Sequence, residues 1–474
     1  MAFNDLSGFL TRLEEEGELR RVSVEVDPLL EIAEITDRVS KSPSGGKALF
    51  FENVRGSAFP VITNMFGSLR RICLALGVGE LDQLTFRMEE LLSKVPSSAT
   101  GDVFSALPAL PEFTRYAPEP SATGACREVV ETRPDLDAYP ILKNFAGDGR
   151  PDHDGRFITL PLVVTRDPDT GKANCGLYRV EVIGRDRVCI HWRAASGGAG
   201  HCRKYLERGE RMPVALALGG DPALICAASA PLPECIDEMH MAGFLRGEPI
   251  SVTGCMSNPL KVPADVEMVI EGFIEPGDSC QGGAFGNHTG SYAMAGDVPV
   301  MRVTCITRRK EMIYPATVVG RPPMEDCFMA RATERLLLPV IRRELPGVID
   351  IHMPMEGIFH GCAIVALEKG DPAHPRRLME ALWGGRRLGD ARVIVVVDAD
   401  TDVHDMSLVA WKVFNLVDWR QDIVLDGSVP LGRIGLDATR KDGNSPGKNA
   451  FSEEIARGQS VMEMVDRRWR EYGL

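Results

Sequence analysis

The sequence predicts a multidomain protein of mixed α/β and α+β class, with a central β-barrel between N-terminal and C-terminal α/β domains. Three observations carry that prediction. The chain has 474 residues, too many for one ordinary core when a domain takes roughly 150 residues. A stretch from Pro96 to Pro120, rich in Pro, Ser and Ala, reads as a linker. The pattern then changes to short β-rich runs from Cys126 to Ile306 and, beyond Arg308, to strands alternating with longer helices, which marks an α/β layer. The boundaries expected are 1–125, 126–310 and 311–474.

In the first region Leu6, Phe9, Leu10 and Leu13 recur at helical spacing and Gly17 stops the pattern, so residues 4 to 17 are predicted helical. A strand over Arg21 to Val26, a helix over Leu29 to Val39, strands at Ala48 to Val54 and Pro60 to Asn64, and helices near 68 to 75 and 82 to 94 follow. In the second region Phe157 to Thr165 reads as one strand, Asp167-Pro168-Asp169-Thr170-Gly171 as a turn and Asn174 to Ile183 as its hairpin partner. Further strands fit Val188 to Trp192, Val214 to Leu218, Ile250 to Cys255, Met268 to Phe273 and Val300 to Ile306, a series that suggests a closed or half-open barrel. One helix, Ile236 to Leu245, interrupts it. In the third region helices are expected over Met324 to Arg343, His374 to Trp383, Met406 to Val417 and Val461 to Tyr472. Its strands are Val348 to Met353, Cys362 to Leu367 and Val393 to Val397.

Composition narrows the class of function. The net charge of −13 argues against a nucleic-acid footprint, so an anionic ligand would be held by local basic groups. The start of the chain has no basic and apolar leader, and no apolar run approaches the roughly 20 residues of a spanning helix. A cytoplasmic protein with no membrane span is expected. Twelve cysteines without a CxxC pair read as buried thiols.

The stretch Gly282 to Tyr292 stands out, with four glycines in its first nine residues. Glycine permits positive φ and close approach of backbone to a ligand. Asn287, His288, Thr289 and the Tyr292 hydroxyl supply donors and acceptors there, but no acid. Asn174 and Arg179 offer an amide and a guanidinium five residues apart, which an extended strand places on opposite faces unless a bulge intervenes. His191 and His201 lie ten apart without an HExxH pattern. Asp398, Asp400 and Asp402 begin like a calcium loop, but Val403 and Val409 stand where Gly and Glu are needed, so they read as strand-end carboxylates. Gly197-Gly198-Ala199-Gly200 and Gly219-Gly220-Asp221-Pro222 lack nucleotide-binding spacing and read as turns.

Several segments in this order resemble the UbiD family of reversible decarboxylases that use prenylated flavin mononucleotide (prenylated FMN). They are Asn4-Asp5-Leu6 with Glu16-Gly17-Glu18-Leu19, Asn174 to Arg179, Ala242 to Gly247, Phe285 to Gly290, Gly320-Arg321-Pro322-Pro323 and Gly435 to Thr439. Arg321 to Asp326 and His352 to His360 look like the branch containing menaquinone-pathway decarboxylases. The resemblance implies a central split barrel similar to flavin reductases and a C-terminal domain used in oligomerisation. It also implies a phosphate held through Mn2+ or Mg2+, with K+ nearby. Asn174 and Glu238 match two of the metal ligands and Arg179 the catalytic arginine. Ser229, Pro231 and Arg433 join Asn174, Arg179 and Glu238 as cofactor-binding positions, with Arg433 in place of a common lysine.

The departures are informative. Ala195 stands at the metal histidine, leaving His191 or His201 as alternatives after a local shift. The two acids of the Glu-Arg-Glu/Asp triad fall on Gly282 and Asn287. His288 is then the nearest titratable proton donor, so Arg179, His288 and Asn287 form the catalytic set. The function implied is reversible decarboxylation or carboxylation of an aromatic or polycyclic hydroxy acid, with a flavin prenyltransferase supplying the cofactor to a homo-oligomer, dimer or hexamer. The alternative is a UbiD-like subunit of a multi-subunit carboxylase of the phenylphosphate carboxylase type, hetero-oligomeric with a paralogue, with atypical or reduced intrinsic activity, for which prenylated FMN could be dispensable.

Overall fold

Leu6, Phe9, Leu10 and Leu13 lie on the buried face of helix Leu6–Glu15, whose N-terminus Asp5 caps by accepting from the Gly8 N–H. Such a cap contributes about 1 kcal/mol. The computed structural model describes residues 3–96, 103–385, 388–441 and 457–473. Beside that helix, strand Leu19–Val26 runs parallel to Ala48–Val54, followed by Val61–Thr63 and, from much later in the chain, Tyr314–Pro315. The helices Glu31–Ser40, Leu69–Ala75 and Asp82–Ser93 complete this layer close to their predicted positions.

The stretch expected as a linker is not a solvated one. Residues 97–102 lie outside the described residues, but Phe104, Leu107 and Phe113 are fully buried in a short 3-10 helix and one α turn. They share one apolar cluster with Phe9, Leu224, Leu337 and Val365, so the three regions are welded by a common core. Burying a Phe contributes about 1.5–3 kcal/mol, which is why this Pro-rich segment holds a fixed path.

The central sheet has nine strands. The predicted strand Phe157 to Thr165 is two strands, Phe157–Ile158 and Pro161–Arg166, and its partner is likewise Ala173–Leu177 and Val180–Gly184. The first half-hairpin forms one end of the strand path and the second half the other end, with Arg187–Ile190, Asp297–Arg308, Met268–Gln281 and Met212–Leu218 between them. The two ends of the path are thus linked along the chain through a single interrupted hairpin, from Ile158 to Pro161 and from Leu177 to Val180. Three helices accompany it where one was expected: Gly197–Glu207, Pro222–Ser229 and Glu238–Arg246. Gly197 to Gly200 thus opens a helix capped by Ser196 and is not a turn. Gly219 and Gly220 do turn, with φ of 81° and 88°, before Asp221 caps the next helix.

The C-terminal layer is a five-stranded sheet in the order Val348–His352, Cys362–Leu367, Val393–Asp398, Arg433–Asp437, Ile423–Asp426. Its three inner strands are parallel and its edges antiparallel. Helix Glu325–Glu344 packs between this sheet and helix Asp82–Ser93, and the helices His374–Gly384 and Met406–Leu416 cover the sheet faces. Among the described residues no helix is long and apolar enough to cross a membrane, and all twelve cysteines are free.

Candidate active site

The interruption of the hairpin is what brings the site together. Ile158 pairs with Val180 and Leu162 with Leu177, four steps on one strand against three on the other. The extra residue falls on the Phe157–Arg166 side, while Tyr178 and Arg179 lie in the break between the two halves of the partner strand. Regular strand alternation therefore does not run unbroken from Asn174 to Arg179, and their odd spacing no longer dictates opposite faces.

Asn174 lies beside the N-terminus of helix Gly197–Glu207, so close that a Cβ on Gly197 would meet its Oδ1 at 2.3 Å. The Asn174 Nδ2 is buried without a partner. Glu238, on the first turn of its own helix, accepts the N–H of Cys175 at 2.9 Å. Burial pushes its carboxyl up to about 8, although one edge of the residue remains accessible. An orphan amide beside a helix N-terminus, with a carboxylate short of compensating charge held on the next residue's N–H, is the kind of donor set that an anion with a hard cation needs.

Around the break, Arg179 lies over the ring of Phe285 at 4.6 Å and donates to His191 Nδ1 at 3.4 Å. Because arginine only donates, the other ring nitrogen of His191 carries the hydrogen and gives it to Glu181 Oε2 at 3.2 Å. The same Glu181 oxygen accepts the Gly283 N–H at 2.8 Å. On the other side Asp148 accepts the N–H of Gly286 at 2.7 Å and of Phe145 at 2.9 Å. Glu181 and Asp148, both buried, thus grip the backbone of a loop that carries no acid of its own. Burial pulls the Arg179 pKa below its ordinary value against the opposing pull of Asp148.

Only Gly290 in the loop has positive φ, at 75°. The other glycines are there for closeness: a Cβ on Gly283 would lie 2.3 Å from Glu181 Oε1, and one on Gly286 would lie 2.1 Å from the Phe145 ring. Two further residues of the loop point to different places. Asn287 lines a cavity of about 700 Å³ with Asn144, Phe145, Tyr292 and Arg321, and its Oδ1 and both amide atoms of Asn144 are buried and unpartnered. His288 instead stands against Phe359 and His360, with Nδ1 3.8 Å from Asp326 Oδ2. Burial, then His360, Arg179 and Arg193, lower its pKa to about 4.

Other expected positions lie apart. The Ser229 hydroxyl is spent on the Cys226 carbonyl, and Pro231 is exposed on the segment leading to Glu238. Arg433 binds Asp426 and the Gly389 carbonyl within the C-terminal layer. Neither alternative histidine has an Asn174 or Glu238 contact. His191 is held by Arg179 and Glu181, and His201 by Thr165 at 2.9 Å. Among the described residues the one grouping of three potential metal ligands is Glu334, His352 and His404. Arg331 Nη1 already fills it, 2.6 and 2.7 Å from the two imidazoles. The aspartates at the strand end are paired, Asp400 with Arg440 at 2.8 Å.

Family models match along the chain. Residues 10–91 match the N-terminal domain, 119–322 the Rift-related domain and 327–451 the C-terminal domain of 3-octaprenyl-4-hydroxybenzoate carboxy-lyase. The chain belongs to the UbiD family of carboxy-lyases. Similar sequences include uncharacterised proteins of Archaeoglobus fulgidus, 40% identical over 99% of both chains, and of Aquifex aeolicus, 37% identical over 100% of this chain and 99% of that one. Among solved UbiD structures, an evolved dimeric form of HmfF from Pelotomaculum thermopropionicum in complex with prFMN aligns at a TM-score of 0.80. It is 26% identical and covers 98% of this chain and 100% of that one. Sedimentibacter hydroxybenzoicus vanillic acid decarboxylase in closed form shares the fold at 0.86, with 24% identity over 100% and 99%.

Within the UbiD frame, the residues missed by sequence reasoning are Glu181, Asp148 and Asp326. Each is an acid tied to the glycine loop from far along the chain, Glu181 to Gly283, Asp148 to Gly286 and Asp326 to His288, so no local pattern announces it.

Proposed function

We propose that this UbiD-family protein catalyses reversible decarboxylation of an aromatic or polycyclic hydroxy acid with prenylated FMN. The observation that carries the reading is the placement of Arg179, a half-buried guanidinium stacked on Phe285 of the glycine loop and near enough to His288 to disfavour its protonation. Such a cation binds the substrate carboxylate and holds it as CO2 forms. The interrupted hairpin supports a half-open split barrel as the cofactor-bearing unit.

The residues fit the cofactor. Asn174 and Glu238 offer two oxygen ligands, and Mg2+ or Mn2+ is held in many sites by one or two protein oxygens together with ligand phosphates. With Ala195 where a third protein ligand is expected, Asn174 and Glu238 would hold that cation with more help from the cofactor phosphate, and the resemblance would add K+. When bound, prenylated FMN supplies the electron sink for the carbon that loses CO2. The chain orients the carboxylate at Arg179 and keeps the loop rigid through Glu181 and Asp148. His288, which is neutral near pH 7, stands on the side away from Asn287. The 700 Å³ cavity at Asn287 is of a size to admit a ring system.

Trp411, Phe414, Trp419, Leu425 and Leu431 are exposed on the C-terminal layer, which supports burial of that face between subunits. Gly282, Asn287 and Ala195 at three positions expected to carry chemistry favour a second reading, a subunit that acts beside a paralogue without prenylated FMN. Co-expression with a flavin prenyltransferase separates the two. A coloured protein with bound divalent metal that exchanges labelled CO2 into hydroxyarenes is expected, and a colourless, metal-free protein would sink the first reading.

A further inference from the structure

We infer that Asp326 is the proton source behind His288, so that a carboxyl from the C-terminal layer replaces the acid that the glycine loop lacks. The inference rests on the decarboxylase reading. Asp326 occupies the first turn of helix Glu325–Glu344, and its Oδ2 lies 3.8 Å from His288 Nδ1. Each side chain keeps 22% of its surface accessible, so the pair is not sealed within the core. Closing by less than 1 Å, as sites do when substrate arrives, makes this contact a hydrogen bond.

The environment suits a shared proton. Asp326 is faced by Cys327, whose thiol donates to Oδ1 at 3.6 Å, and by the carboxyl of Glu325. His288 is faced by His360 and Phe359 from the 355–362 segment, and by Arg179 and Arg193. Burial raises the Asp326 carboxyl to about 7, with the Glu325 charge adding to the effect. The same surroundings keep the imidazole neutral. Up to about neutral pH the carboxyl thus keeps its proton beside a neutral imidazole, and with the imidazole hydrogen on the far ring nitrogen, Nδ1 is free to accept it.

The step balances. As the bond to the carboxylate breaks, its electron pair stays on the substrate carbon and CO2 leaves. The hydrogen on the far ring nitrogen of His288 moves to that carbon, and the Asp326 proton moves to Nδ1. A neutral imidazole and an Asp326 carboxylate remain, and solvent returns one proton. Asp326 thus acts through His288 and does not itself touch the substrate.

Two measurements test this on the full chain, with Asp326→Asn, Asp326→Glu and His288→Gln. In the protein without cofactor, the His288 ring resonance is expected to show an inflection near neutral pH that disappears in Asp326→Asn and returns, displaced, in Asp326→Glu. A His288 resonance indifferent to Asp326→Asn overturns the pairing. In the loaded enzyme, Asp326→Asn is expected to slow solvent-deuterium incorporation into the product by about 100-fold, the lower range for a general acid, while substrate Kd stays within about 2-fold. Unchanged incorporation overturns the role. A wild-type enzyme that exchanges neither CO2 nor deuterium refutes the decarboxylase reading, and the resonance then decides the pair by itself.

Discussion

The Glu238 carboxylate accepts the Cys175 main-chain N–H at 2.9 Å, which ties the first turn of a helix to the residue beside Asn174. The contact holds Glu238 one residue along from Asn174, which itself lies at the N-terminus of helix Gly197–Glu207. That placement of Asn174 depends on Gly197 having no side chain, because a Cβ there would come 2.3 Å from Asn174 Oδ1.

Gly197→Ala is therefore expected to lower affinity for Mn2+ and FMN at least 10-fold, measured by titration calorimetry. Alanine in place of glycine favours a helix by about 1 kcal/mol, so circular dichroism and thermal midpoint should not fall. Loss of binding with an intact fold assigns the effect to the displaced amide. Unchanged binding would remove Asn174 from the cation site.

Arg179→Lys keeps the charge but loses the planar group that lies over Phe285 and reaches His191. A hydrogen bond to a charged group is worth roughly 2 kcal/mol, so kcat/KM should fall about 30-fold. Arg179→Ala should fall further still. Steady-state kinetics across a substrate series checks both, and equal activity of the lysine variant would show that only the charge matters.

The loop clamp predicts a stability effect. Gly283→Ala drives a Cβ to 2.3 Å from Glu181 Oε1 and 2.5 Å from the Gly149 carbonyl carbon. Overpacking of this kind costs roughly 1–3 kcal/mol, read as a lower urea midpoint. The double variant with Glu181→Ala should recover part of the loss, since the carboxylate oxygen is the nearest of the three atoms in the way.

How far the sequence foresaw this site depends on the reach of each contact. Helix Leu6–Glu15 and strand Cys362–Leu367 were legible because periodicity and Gly17 are local signals. The break at Thr159 and Leu160 was not, since apolar residues continue through it and only their pairing at opposite ends of the strand path separates the halves. Helix Gly197–Glu207 was hidden by glycines, of which Gly197 serves the approach of Asn174 and Gly198 that of Trp192. Asn174, Glu238 and Arg179 came from the family pattern. Glu181 reaches Gly283 over 102 residues, and Asp326 meets His288 only through the packing of the C-terminal layer, so neither had a sequence signature.

Glu267 predicts how stability varies with pH. Its side chain is fully buried, accepts from the Ile313 N–H at 3.0 Å and faces Arg309 at 3.3 Å. Burial outweighs these partners and raises the carboxyl to about 7, above the ordinary value of about 4.3 in an unfolded chain. The folded state thus binds the proton more tightly than the unfolded one. Below about pH 4.3 both states are protonated and the full contribution of this group is present. As pH rises to 7 the unfolded state ionises first, and that contribution is lost. Relative to Glu267→Gln, the wild type should lose about 3 kcal/mol between pH 4 and pH 8. Urea unfolding of the two proteins at pH 4, 6 and 8 checks this, because other buried acids cancel in the difference. A difference that stays constant with pH would mean that Arg309 keeps Glu267 ionised throughout.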